Sequence, residues 1–126
     1  MKEAFETFDH EFHCTHQKDG EKAITYLQNT LTDSNLRMPD LILLDLNLPR
    51  KNGFEVLEFI KSHETLKIIP TVIFTTSSSQ KDITACYKRH ANCYITKPAE
   101  IESYLEVLKG VQYFWNSVAK KASKRE

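Results

Sequence analysis

The sequence predicts an α/β fold, an open doubly wound parallel sheet with helices on both faces, and three observations carry that reading. Short apolar runs alternate with helical patterns of about 10–15 residues, the rhythm of parallel βαβ units. One run, Leu41-Ile42-Leu43-Leu44, is apolar without alternation, as befits a strand covered on both faces inside a parallel sheet. Asp45, Thr75 and Lys97 each stand at or just after the carboxyl end of a predicted strand, the edge where open parallel sheets form their functional crevice.

The elements follow in order. Phe12, Cys14 and His16 alternate with His13, Thr15 and Gln17, predicting a strand with one face covered. Asp19-Gly20 punctuates, and Ala23, Ile24, Leu27 and Leu31 recur at helical spacing behind Asp19 as the cap. Ser34 to Asp40 is a polar turn leading into the strand Leu41–Leu44. Asp45 to Gly53 is a turn-rich loop, and Phe54, Leu57 and Ile60 mark the next helix. Pro70 introduces the β-rich run Thr71–Thr75. Ser77, Ser78 and Ser79 offer caps for a helix carrying Ile83, Cys86 and Tyr87. Cys93–Thr96 is a last short strand closed by Lys97-Pro98. From Glu100 on, Ile101, Leu105, Leu108, Val111, Trp115 and Val118 trace a long amphipathic helix through Gly110.

Composition narrows the function. The 126 residues suit one domain with a real core, and 40% hydrophobic with 27% charged residues argues against disorder. Seventeen basic residues balance seventeen acidic ones, so nothing predicts broad attraction to nucleic acid or to a membrane. Residues 120–126 read as a basic, solvated tail after a domain spanning 1–119. Three cysteines without a framework spacing read as free thiols, and no apolar stretch approaches membrane length, so a cytoplasmic protein is expected.

A carboxylate directly after an aliphatic strand is costly unless solvated, paired or coordinating. Asp45 in the company of a hydroxyl, Thr75, and an ammonium, Lys97, can act as a nucleophile toward a phosphoryl group and form an acyl phosphate. Such a transfer needs positioning and charge neutralisation, which Lys97, Thr75 and a divalent cation such as Mg²⁺ would supply. Taken singly, each residue has a plainer reading: Asp45 as a turn residue, Lys97 as a surface lysine, Thr75 as a β-former. Three suitable types at three successive strand ends point to a site.

These same segments resemble response-regulator receiver domains. Leu41–Gly53 is similar to their phosphoacceptor strand and loop, Ile69–Ser77 to the strand ending in the hydroxyl residue, and Tyr94-Ile95-Thr96-Lys97-Pro98 to the strand with its lysine and proline. Ala91–Pro98 and the late Phe114-Trp115 are similar to single-domain regulators that partner phytochrome-type histidine kinases. The resemblance covers roughly residues 3–119 and implies a flavodoxin-like sheet. It further implies that Asp45 takes a phosphoryl group from a sensor kinase phosphohistidine, that Thr75 hydrogen-bonds it, and that Lys97 pairs with it. Asn47 would offer its backbone carbonyl to Mg²⁺ beside Asp45, and Tyr94 matches the family's aromatic switch. Output would pass through protein contacts.

One departure stands out. Receiver domains begin with a hydrophobic strand ending in paired acidic residues that hold the cation, whereas here Met1-Lys2-Glu3-Ala4-Phe5 reads as the first helix. The leading expectation is that Met1 is internal to a longer chain. The alternatives are a sheet closed with the second strand beside the third, or exchange of segments in a dimer. Either would remove the usual basis for metal binding and phosphorylation.

Other constellations are weaker. His10, His13 and His16 beside Cys14 invite a zinc reading, but on a strand His13 and His16 point to opposite faces. Phe114 and Trp115 read as packing residues or a homodimer patch. Two rivals to the receiver are weighed. One is a phosphorylation-independent pseudo-receiver that serves as an interaction module. The other is an aspartate-nucleophile phosphohydrolase, which would want a second Asp where Asn47 stands. A non-enzymatic receiver is the expectation.

Overall fold

The structure, a computed structural model, describes residues 14–122. Helix α1 (Gly20–Thr32) starts where Asp19 accepts the Lys22 N–H at 2.8 Å and buries Leu27 and Thr30. Strand β1 (Ile42–Leu44) follows, then α2 (Gly53–Ser62). That helix opens on a capping box in which Asn52 accepts the Glu55 N–H at 3.0 Å and Glu55 accepts the Asn52 N–H at 3.2 Å. A 3₁₀ turn (Leu66–Ile68) leads to β2 (Thr71–Thr75), and Ser79 caps α3 (Gln80–Lys88). Strand β3 (Cys93–Thr96) precedes α4 (Ile101–Tyr113), which widens into a π-helical turn over Phe114–Val118.

The described strands form one parallel sheet in the order β1-β2-β3, with Leu44 beside Ile73 and Thr75 beside Thr96. All five residues of β2 are buried. Alternation along the strands divides the core in two. Leu44 and Ile73 pack with Leu27, Val56, Leu57, Ile60 and Cys86 from α1, α2 and α3. Phe74 packs on the opposite face with Leu108 of α4, joined by Leu43, Ile95 and Tyr104. A strand between two apolar layers must itself be apolar throughout, which explains the unbroken Leu-Ile-Leu-Leu and Val-Ile-Phe runs.

Two expectations change, and one lies outside the described residues. Of the predicted strand at residues 12–16, Phe12 and His13 lie outside the described residues, and Cys14–His16 are not part of the described three-stranded sheet. Among the described residues β1 pairs with β2 along one of its two edges. The first predicted helix, around Met1–Phe5, also lies outside the described residues. Finally, the terminal α-helix stops at Tyr113, and Ile101 (68% exposed) and Val118 (51%) fall off the buried stripe that Leu108 and Val111 follow.

Candidate functional site

Because β1, β2 and β3 lie side by side, their carboxyl ends are neighbours, and the residues there converge. Thr75 Oγ1 donates to Asp45 Oδ1 at 2.9 Å, and the Asn47 N–H donates to the same oxygen at 3.0 Å. Lys97 Nζ reaches Asp45 Oδ2 at 2.7 Å, the side chains of the pair being only about one-fifth exposed. Thr75 is fully buried, and its carbonyl accepts the Lys97 N–H at 2.7 Å, so strand register seats the lysine. The Lys97 ammonium also lies 5.8 Å from the centre of the Phe74 ring.

Burial is the largest influence on the Asp45 carboxyl and pushes its pKa up. The hydrogen bonds from Lys97, the Asn47 N–H and Thr75, with the Lys97 charge, outweigh it and hold the group below its ordinary value of 3.8. Asp45 is thus an anion, gripped on both oxygens yet reachable from solvent. That is the state a nucleophilic carboxylate needs, provided one contact can be given up.

Two glycines set the loop beyond Asp45. A Cβ on Gly53 would stand 2.3 Å from the Asp45 carbonyl oxygen, and one on Gly20 would stand 1.8 Å from the Lys51 carbonyl oxygen. The loop therefore folds back against β1 and α1 at positions where only glycine fits. The Gly53 N–H closes it on the Leu46 carbonyl at 3.0 Å.

Tyr94 is half-buried on β3, and its hydroxyl donates to the Ser77 carbonyl at 2.9 Å. Thr96 Oγ1 donates to the same carbonyl at 3.3 Å. The sequence offers Ser77 as a capping candidate and as the end of the Ile69–Ser77 segment, and its carbonyl role depends on a partner seventeen residues away. His16 is exposed and Cys14 is half-buried against the Phe74 cluster, while His10 and His13 lie outside the described residues. Phe114 and Trp115 pack edge to face at 5.2 Å, with Phe114 about half exposed.

Among the described residues, no three His, Cys, Asp or Glu side chains gather to hold a metal ion. A hard cation such as Mg²⁺ takes about six oxygens. Asp45 and a backbone carbonyl at Asn47 fall short of that donor set, so the described residues do not by themselves make a metal site.

A sheet whose strand ends bring an aspartate, a hydroxyl and a lysine together is what a phosphoacceptor domain requires. The family profile of the response regulator receiver domain matches residues 1–109, and the chain belongs to that family. Response regulator Rcp1 of Synechocystis sp. is 43% identical over 109 residues, which are 86% of this chain and 73% of that protein. Among solved structures, the phosphorylated cyanobacterial phytochrome response regulator RcpA superposes with a TM-score of 0.88 at 44% identity, covering 96% of this chain and 86% of that one. The Mn²⁺-bound form of Rcp1 gives 0.86 at 37% identity, covering 97% and 88%. The flavodoxin-like receiver fold expected from the sequence is therefore the fold of this chain. No described helix is long and apolar enough to cross a membrane.

Proposed function

We propose that this protein is a phosphorelay receiver that accepts a phosphoryl group on Asp45 from the phosphohistidine of a sensor histidine kinase. The observation that carries the reading is the convergence of Thr75 Oγ1 and Lys97 Nζ on the two oxygens of one low-pKa carboxylate. A carboxylate oxygen of Asp45 attacks phosphorus, the P–N bond to the kinase imidazole breaks, and an acyl phosphate remains on Asp45. Thr75 leaves Oδ1 to donate to a phosphoryl oxygen, and Lys97 neutralises the charge gathered there. Tyr94 follows the displaced segment after Thr75, which alters the surface offered to partners.

The kinase is proposed to be phytochrome-type, since the solved relative RcpA is described as a phytochrome response regulator. Mg²⁺ is proposed as the cation, Asp45 and the Asn47 carbonyl being the two donors this part of the chain offers. The domain is taken as residues 1–119, the setting as cytoplasmic, and the output as protein contact rather than turnover.

Intact mass after incubation with Mg²⁺ and acetyl phosphate tests the reading. The expected result is a base-labile, hydroxylamine-labile phosphoryl adduct on the wild type and none on Asp45→Asn. An adduct that survives Asp45→Asn overturns the site. A second reading, an interaction module independent of phosphorylation, is favoured by the incomplete cation donor set among the described residues. A folded wild type that never forms the adduct, with or without Mg²⁺, would select it.

A further inference from the structure

The segment after Thr75 is held by a closed ring of contacts. Tyr94 Oη and Thr96 Oγ1, both on β3, donate to the Ser77 carbonyl. Ser77 Oγ donates to Asp82 Oδ2 at 2.7 Å and accepts the Ser79 N–H at 3.3 Å, which couples the segment to the first turn of α3. At the opposite end of that helix, Tyr87 Oη accepts the backbone N–H of Tyr94 at 3.1 Å. One residue of β3 is thus gripped at both ends of α3, by its side chain through Ser77 and by its amide through Tyr87.

Packing does not account for the Tyr87 hydroxyl. The side chain is 48% exposed, so its ring buries little that a phenylalanine would not also bury. Tyr94 lies on the outer strand of the described sheet, and its N–H is directed to α3. Water could satisfy that amide in place of Tyr87. The hydroxyl fixes the position of a helix more than it supplies a scarce acceptor.

We propose that Tyr87 is a positioning residue for the phosphoryl-accepting site: its hydroxyl latches α3 to β3 and so keeps Thr75 on Asp45. The proposal rests on the reading of Asp45 as acceptor. For phosphorylation, Thr75 must release Oδ1, so the segment of Ser77 must shift, and α3 or β3 must yield. The Tyr87 bond opposes that shift, and its loss moves the population toward the accepting arrangement.

The test compares wild type, Tyr87→Phe and Arg89→Gln, each with Mg²⁺ and acetyl phosphate. Adduct formation is followed by intact mass, and exchange of the Tyr94 amide is measured without phosphodonor. Arg89 ties the same helix to α2 instead, through Glu58 at 3.4 Å and the Phe54 ring at 5.3 Å. Tyr87→Phe should form the adduct about two- to tenfold faster, the worth of one modest hydrogen bond, with Tyr94 exchange accelerated to a similar degree. Arg89→Gln should stay within about twofold of wild type in both readouts. Equal rates in wild type and Tyr87→Phe, unchanged Tyr94 exchange, or equal acceleration in both variants would overturn the latch. A wild type that forms no adduct overturns the reading of Asp45 itself, and the coupling falls with it.

Discussion

Each end of the sheet is organised around a lysine, and the two lysines are held in opposite ways. At the carboxyl end, Lys97 pairs with the Asp45 carboxylate, a charged partner. At the amino end, Lys61 donates to the carbonyls of Lys67 at 3.0 Å and Ile69 at 3.2 Å and to Asn92 Oδ1 at 3.1 Å. Asn92 in turn accepts the Thr71 N–H at 2.8 Å and gives its own N–H to the Thr71 carbonyl at 3.0 Å. These acceptors are neutral and mostly backbone. The cation at the amino end closes a joint between α2, β2 and the turn before β3, whereas the cation at the carboxyl end faces a partly exposed carboxylate. The difference lies in the partner and not in the residue type: fixed neutral acceptors make a brace, and an exchangeable anion makes a site.

The sharpest way to break this contrast is at the brace. Lys61→Met removes three hydrogen bonds from a half-buried ammonium and should cost about 1–3 kcal/mol of stability in urea denaturation. Adduct formation at Asp45 should stay within about twofold of wild type, scaled to folded protein. A variant as stable as the wild type but unable to be phosphorylated would erase the distinction. Lys97→Met should do the reverse. Asp45 keeps Thr75, the Asn47 N–H and access to water, so stability should fall by no more than about 1 kcal/mol. Adduct formation should drop at least about tenfold with loss of the neutralising charge.

A smaller effect appears against pH. The Asp45 carboxyl has a folded pKa below its ordinary 3.8, so the folded state binds its proton less readily than the unfolded chain. The stability this supplies is complete above about pH 5 and is lost as pH falls through 3.8 and on through the folded value. Burial lowers the Lys61 pKa below 10.5, so between its folded value and 10.5 the unfolded chain again binds more protons and stability rises with pH. Acid unfolding should be shallower in Asp45→Asn, and the alkaline rise should vanish in Lys61→Met. An unchanged acid limb in Asp45→Asn would mean that its contacts do not persist in solution.

The carboxyl end was readable in the sequence because its logic is local. An apolar run fixes a strand, the strand fixes where it ends, and Asp45, Thr75 and Lys97 stand at those ends. The brace was not readable. Lys61 and Asn92 are 31 residues apart, and neither breaks a pattern that would draw notice. The Tyr87–Tyr94 contact was hidden for a related reason, since Tyr87 counted as part of a helix face while only its hydroxyl makes the bond. Periodicity overran at the end of α4, where apolar residues keep helical spacing through Val118 although the backbone has widened after Tyr113. Cys14–His16 alternate as a strand would, yet alternation reports a possible face, and these residues are not part of the described sheet.

The two glycine contacts beside Asp45 also bear on where foreign sequence can be spliced into this chain. The loop over residues 46–52 has the turn residues and exposure that usually mark a tolerant insertion point. Its length is nonetheless gauged at both ends: Gly53 against the Asp45 carbonyl, and Lys51 against Gly20, whose N–H reaches the Pro49 carbonyl at 3.2 Å. Between them Arg50 turns through a φ of 69° and reaches Asp19 at 3.4 Å. One added residue would unseat both closures and the carboxylate between them. The turn after α1 is the opposite case, with Asp33, Ser34 and Asn35 exposed and their bonds confined to residues 29–36. A fluorophore or affinity tag belongs there, where it can report on the domain without touching the chemistry.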